Sequence, residues 1–456
     1  VPIRTTAAAE TASQVTLRMD KMTLDSEGQA TDVVVDPRGG AFYEEAASAA
    51  AALGVAVDLY IVATEVVGLD CLEPLASSSG GHVCWYLSVD DAALPQDVYR
   101  RLAGIQARNC RLRLRSSPEF RVQRCYGHLM ADENYKNLQH IVSCSPHDCF
   151  AFDFEFASEA GFIGEEECPP TLQLAFQYTM LVPIQSDHLE APVHPTWYRL
   201  ERRMRIHTVQ VAIARTPKEV YSFADPETIL ALLMHKIVRA CQEEGLAEAR
   251  SLLQDWLVIL MAHYNTHVSD KAWKEVDVAF EACPALQPMA RLVYVLLQSP
   301  LLVESSKSGA AHHQHPDLRC YLQNLWAALP PGDLLRAVYP ILSSWKDPDT
   351  QAYPKHSLSR TALITAGAPI FLLDSFTHLI VYYTQGCGED VPFPPPQSSK
   401  LRQLLNHLRL NRIMAPQVKL LRAGIDDVSL FTRHLIEEAD SSAAQTGEEQ
   451  LGTFIQ

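Results

Sequence analysis

The sequence lacks the runs and motifs that a membrane span or a reaction centre would need. No stretch of about 20 uncharged apolar residues, the length a bilayer requires, occurs in it. The richest candidate, Ala46 to Leu69, is broken by Gly54, Asp58 and Glu65. There is no basic excess either: 38 Lys and Arg against 54 Asp and Glu leave a net charge of −16. That balance argues against non-specific nucleic-acid binding, yet allows a local basic face on an acidic body. Nucleophile-elbow, phosphate-cradling Gly-loop and His-Glu metalloprotease patterns are missing, so an enzyme reading has nothing specific to rest on. The eleven cysteines show no repeated spacing. They read as reduced, buried thiols of a cytosolic protein, not as a disulfide framework. No signal peptide is visible.

What is present is a folded, segmented chain. With 456 residues, 47% hydrophobic and 20% charged, it has material for about three domains, each with its own core. The first hundred residues alternate helix and strand. Phe42 to Leu53 reads as an Ala-rich helix stopped by Gly54, and Val55 to Val62 as a strand covered on both faces. A short helix over Leu69 to Ala76, a strand over His82 to Leu87 and a helix over Pro95 to Ala107 follow. Two such repeats do not close a doubly covered sheet. The reading is therefore the C-terminal half of an α/β domain whose first half lies upstream, in a chain that opens with Val1.

From Arg108 the period becomes two, as in Arg111 to Arg115, Phe150 to Phe156, Leu172 to Tyr178 and Met204 to Ile213, which predicts an antiparallel sandwich. After Thr216-Pro217 it becomes 3.6, with Asp225-Pro226-Glu227 as a capped helix start. Apolar stripes then run to Tyr339, and they read as helical core, not as a ligand box. Trp345 to Ser357 reads as a polar linker. Ile370 to Leu373 pairs with Leu379 to Tyr383 across Asp374-Ser375, and Phe393 to Pro396 is an extended spacer. Ser399 to Leu410 reads as a capped helix, Val418 to Leu421 as a strand, and Val428 to Glu437 as an amphipathic helix before an acidic tail.

Two groupings suggest metal chemistry, and both read as bland. His312, His313 and His315 lie in a Ser/Gly/His-rich loop with no Cys or carboxylate at ligand spacing. Cys144, His147 and Cys149 supply three donors where structural zinc needs four, usually in two tight pairs. No metal is assigned. The arginines carry more weight. Arg108, Arg111, Arg113, Arg115, Arg121 and Arg124 share a segment whose one acid is Glu119. At period two, Arg111, Arg113 and Arg115 point to one face of a strand. That face is either an ordinary solvated one or a basic stripe for anionic lipid, worth about 1 kcal/mol per residue.

In order, the segments resemble the COPII inner-coat family, which comprises a GTPase-activating subunit and its cargo-binding sister. Val1 to Arg4, Phe42-Tyr43-Glu44, Val57-Asp58-Leu59, Val67-Gly68-Leu69 and Gly80-Gly81 are similar to the family's trunk. Val67-Gly68-Leu69 looks more like the activating subunit. Gln173 to Tyr178 with Arg202-Arg203-Met204-Arg205-Ile206-His207-Thr208 resembles the sandwich signature. The helical-domain motif is matched by Phe280 to Leu302, with Pro284, Leu296, Ser299 and Leu302. Leu297-Gln298 stands there where the family prefers two arginines. His315-Pro316-Asp317 looks like the family's Ser-Pro-Asp, and Leu372 to Phe376 like the start of its last domain.

The resemblance implies a multidomain α+β fold. Its parts are a partial α/β (von Willebrand A-like) trunk over residues 1–107, an antiparallel β-sandwich over 108–215, an all-helical domain over 216–347, and a gelsolin-like α+β domain with an acidic tail over 348–456. It further implies a coat subunit of endoplasmic reticulum to Golgi transport, cytoplasmic and peripheral at endoplasmic-reticulum exit sites. Such a subunit would form a curved heterodimer with the cargo-binding sister, and would contact the small coat GTPase, outer-coat subunits and an anionic membrane surface, without nucleic acid. It would act as a GTPase activator and not itself as an enzyme. The family's zinc ribbon would lie upstream of Val1, leaving no cofactor in this chain. The activating arginine of the family matches Thr432, with Arg433 one residue later, a shift of about 100° around a helix. Two alternatives stand beside this: a catalytically silent coat-like scaffold, or an actin-binding protein acting through the gelsolin-like domain.

Overall fold

The computed structural model describes residues 37–159, 162, 169–184, 197–269, 276, 277, 279–303, 316–351, 353–388, 390–410 and 412–437. The chain divides into two units that exchange segments along the sequence. One holds residues 1–89, 105–212 and 310–328; the other holds 90–104, 213–309 and 329–456.

In the first unit, helix α1 (Pro37–Ala52), strand β1 (Leu59–Val62), helix α2 (Leu69–Ser77) and strand β2 (Val83–Tyr86) follow in order, and β1 pairs with β2 in parallel. The strand expected to be covered on both faces is instead half-buried, with Val62 exposed. Gly81 allows the closest approach here, since a Cβ on it would lie 1.9 Å from the Val57 carbonyl oxygen. Helix α2 carries no cap from its own flank, where Gly68 is left-handed at φ 72°. Its cap comes from about 250 residues downstream on helix α8 (Pro316–Ala328). Asp317 accepts the Val67 and Leu69 N–H groups at 2.7 and 2.9 Å, satisfying donors that a helix start otherwise leaves bare.

The rest of this unit is a sandwich. A five-stranded antiparallel sheet has the order β5-β6-β3-β8-β9, where β3 is Ala107–Ser116, β5 Met130–Ala131, β6 Leu138–Cys144, β8 Thr171–Pro183 and β9 Tyr198–Gln210. A two-stranded sheet joins β4 (Phe120–Tyr126) to β7 (Ala151–Phe156). Cys110, Leu112, Ile141 and Tyr178 form the core, with Phe150, Phe152, Leu174 and Phe176 packed on it.

The second unit holds helix α3 (Ala93–Ala103), which is shorter than expected because Ala107 already belongs to β3. Its helices are α4 (Pro217–Ser222), α5 (Pro226–Glu243), α6 (Leu246–His267), α7 (Met289–Leu297) and α9 (Pro331–Val338), and the first two start at the expected signals, Thr216-Pro217 and Asp225-Pro226. Thr216 accepts from the Glu219 N–H while Glu219 accepts from the Arg215 N–H, and Asp225 accepts from the Thr228 N–H. A mixed sheet of order β11-β10-β12-β13-β14 follows. Its strands are β10 (Ile341–Trp345), β11 (Lys355–His356), β12 (Ile370–Asp374), β13 (His378–Tyr383) and β14 (Gln417–Arg422). Pairing across Asp374-Ser375 is as expected, in antiparallel register.

Helix α11 (Lys400–Leu410) covers one face of this sheet through Leu401 and Leu405. Helix α10 (Arg360–Ala366) and the one-turn helix α12 (Ser429–Thr432) lie on the other side, where Leu363, Phe431 and Leu435 pack on Phe371, Leu373 and Ile380. Two expectations are corrected here. The expected linker over Trp345 to Ser357 is a hairpin, β10 and β11. The helix expected over Val428 to Glu437 ends after Thr432: tighter turns follow, in which the His434 and Leu435 N–H groups donate three residues back to Phe431 and Thr432, before the Glu437 N–H reaches the Leu358 carbonyl at 3.0 Å. The thiols differ too: of the ten described cysteines only Cys110 and Cys283 are buried, the others being half-buried.

Candidate binding surfaces

Strand β3 alternates as its sequence requires: Cys110, Leu112 and Leu114 turn into the core, while Arg111 and Arg115 are exposed and Arg113 is half-buried. The alternation slips between Arg108 and Arg111, where two residues of β3, Asn109 and Cys110, stand against one of β8, Tyr178. Asn109 absorbs the extra residue in the left-handed region, at φ 48°. Because Arg108 faces Thr179 and Arg111 faces Gln177, the bulge returns Arg108 to the same face as Arg111, Arg113 and Arg115. Four arginines therefore form one column.

A fifth joins them from the edge strand. Arg202 is opposite Thr179, and its guanidinium donates to the Asn109 carbonyl at 2.6 Å, Thr179 Oγ1 at 2.8 Å and Gln177 Oε1 at 3.1 Å. It clamps the bulge while leaving its charge on the surface. Beside it Met204 and Ile206, each 60% exposed, continue the face. The other two predicted arginines lie elsewhere. Arg121 and Arg124 are on β4 in the two-stranded sheet, and Arg121 is paired with Glu155 at 2.5 Å. Their place in one cluster with Arg108 to Arg115 is corrected to a second sheet. Arg202 was visible to sequence reading as part of a motif, but its partnership with Asn109 was not.

In the second unit Thr432 is half-buried and ends α12, with its hydroxyl donating back to the Ser429 carbonyl at 3.4 Å. Arg433 is exposed, and its Nε donates to His434 Nε2 at 3.5 Å. His434 faces His378 at the start of β13, whose Nδ1 meets Thr377 Oγ1 at 3.0 Å, and Lys419 on β14 stands nearby. Burial, with the Arg433 charge adding to it, pushes His378 down to about 4 and His434 to about 3; Lys419 contributes at His378. Both imidazoles are thus neutral at physiological pH. Among the described residues none of the four forms an ion pair with a carboxylate. Two cations and two basic rings without a compensating acid, on so acidic a chain, make a compact anion-seeking surface. The sequence reading named only Arg433 of these.

Cys144, His147 and Cys149 sit half-buried, and no cluster of three metal-capable side chains occurs among the described residues. His312, His313 and His315 lie outside the described residues. No described helix is long and apolar enough to cross a membrane.

Residues 225–336 match the Sec23/Sec24 helical domain. SEC23 D of Arabidopsis thaliana, a protein transport protein, is 43% identical over 414 residues, which are 89% of this chain and 55% of that relative. The protein transport protein sec24 of Aspergillus clavatus is 23% identical, covering 76% of this chain and 35% of its own length. The crystal structure of the human COPII-coat protein Sec24c superposes with a TM-score of 0.71 at 17% identity, covering 91% of this chain and 52% of that one. The chain belongs to the Sec23/Sec24 family and stands nearer its Sec23 side. It spans about half the length of the relatives it matches.

Proposed function

We propose that this chain is a COPII coat subunit of endoplasmic reticulum to Golgi transport, of the Sec23 type that activates the coat GTPase. The observation that carries the reading is the contrast in identity, 43% to SEC23 D against 23% to a Sec24 relative. In this reading the α/β elements form part of a von Willebrand A-like trunk and the last sheet with its helices is a gelsolin-like domain. The subunit pairs with its cargo-binding sister and meets outer-coat subunits. It lies peripherally on the cytoplasmic face of the endoplasmic reticulum membrane.

Both surfaces have a place in that function. The column Arg108, Arg111, Arg113, Arg115 and Arg202 would face anionic headgroups, with Met204 and Ile206 beside it. Exposed Arg433, rather than half-buried Thr432, is the residue we assign to the GTPase. Set among uncompensated basic groups, it suits the charge that develops on a transferring phosphoryl group, where an arginine supplied in trans contributes about 10³–10⁵ in rate.

The test is GTP hydrolysis by the cognate coat GTPase on anionic liposomes, using a full-length version of this subunit with and without Arg433→Ala. Strong stimulation that the substitution abolishes supports the assignment. Liposome binding without stimulation would instead identify a catalytically silent coat scaffold.

A further inference from the structure

Helix α6 is held at a fixed rotation about its axis. Ala249, Leu253, Leu257 and Tyr264 are buried along one side, and the Tyr264 ring is wedged against Tyr221 and Phe280 at centroid distances of 5.5 and 5.1 Å. One residue round from Tyr264 and from buried Val268, the side chains of His263 and His267 come out to solvent. They are four residues apart, so they stand one above the other. Their rings are 6.0 Å apart between centroids and inclined by only 17°. Among the described residues they make no hydrogen bond or ion pair with any other side chain.

Both lie in the last turn or so of α6, where unpaired carbonyls concentrate negative partial charge that favours a cation. We propose that His263 and His267 form a chelating site for a divalent d-block cation of the zinc, copper or nickel kind. Imidazole nitrogen suits these ions, whereas magnesium and calcium require oxygen donors that this pair does not offer. Metal–nitrogen bonds of about 2.0–2.1 Å require the two rings to converge. The broad χ2 well of histidine lets them tilt inward from near-parallel without moving the helix. Water would fill the remaining coordination positions.

The test is calorimetric titration of the 456-residue chain with Zn²⁺, in a background carrying His312→Ala, His313→Ala and His315→Ala, which removes the competing histidine-rich segment. Saturable binding of one ion per chain is expected. Either His263→Ala or His267→Ala should weaken it on the order of a hundredfold, the usual gain from tethering two binding groups. A further variant, His263→Ala with Ala262→His, keeps the number of imidazoles but turns one about 100° around the helix. It should bind no better than the single substitutions. Circular dichroism would show each variant folded, as expected for exposed positions. Absence of saturable binding, equal affinity in the single variants, or full affinity in the displaced pair would overturn the proposal.

Discussion

Two five-stranded sheets in this chain solve opposite problems. In the terminal sheet every residue of β12 is buried and helices cover both faces. In the sandwich sheet β9 is exposed along almost its whole length and β3 turns arginines to the surface. A covered sheet has only its strand ends and rim to offer a partner, and the second basic group sits there, where His378 opens β13. An open sheet offers a whole face, and the first basic group is a column on one. The contrast is sharpest when substitutions are made in pairs, one on each sheet.

Phe371→Ala should be the most damaging change, since it empties the centre of the covered sheet; large-to-small aromatic changes in cores cost about 3–5 kcal/mol. Ile206→Ser on the open face should shift urea stability by no more than about 0.5 kcal/mol. Comparable losses at the two positions would show that the open face is covered in solution.

Arg412→Ala should have a similar effect through charge. Arg412 is buried, donating to Asp374 Oδ2 and to the Phe376 carbonyl, each at 2.6 Å. Removing it leaves the buried Asp374 carboxylate with the more distant Arg336, whose Nε lies 3.5 Å from Oδ2, so the cost should be about 3 kcal/mol, the low end for breaking a buried pair. Arg202→Ala, which leaves only exposed oxygens behind, should cost about 1 kcal/mol or less. Urea titration of the two variants side by side reads the difference.

What could be read in advance follows from the same contrast. Period-two alternation is local, so the column was legible from Arg111, Arg113 and Arg115 alone. Its extension to Arg108 was not, because a bulge is decided by the partner strand. The covered sheet hid more. Strand β10 looked like the edge of a linker because its centre is Ser343-Ser344, whose hydroxyls are buried, one donating to the Leu372 carbonyl and the other meeting His356. Leu430, Phe431, Leu435 and Ile436 imitate a helical stripe, yet the last two lie beyond the end of the helix, after tight turns that replace it. His378 and His434 come together only through tertiary packing, which no local pattern announces.

Acidification should separate the two surfaces next. His378 and His434 ordinarily titrate near 6.5, but in the folded chain they stay neutral down to about 4 and about 3. Below 6.5 the unfolded chain takes up protons that the native chain refuses, so stability is complete above that pH and declines as it falls toward 4. Because both rings are only half-buried, we expect a loss on the order of 1–2 kcal/mol by pH 5, most of it removed in His378→Asn with His434→Asn. A pH dependence unchanged in that double variant would show that the histidines are not neutral in the native chain.

The smallest effect per residue is the one most tied to function. Arg111→Ala and Arg115→Ala remove exposed charges whose neighbours on β3 keep the core intact, so urea stability should hold within about 0.5 kcal/mol. Each arginine near an anionic surface is worth about 1 kcal/mol, so the double variant should bind phosphatidylserine liposomes in flotation roughly thirtyfold more weakly. The loss should shrink as salt rises, because these charges are exposed to screening. Arg121→Ala supplies the control: it lies on the other sheet and is already paired with Glu155, so its effect should be slight. If Arg121→Ala weakened flotation as much as Arg111→Ala, attraction would come from the general charge of the sandwich and the column would have no special standing.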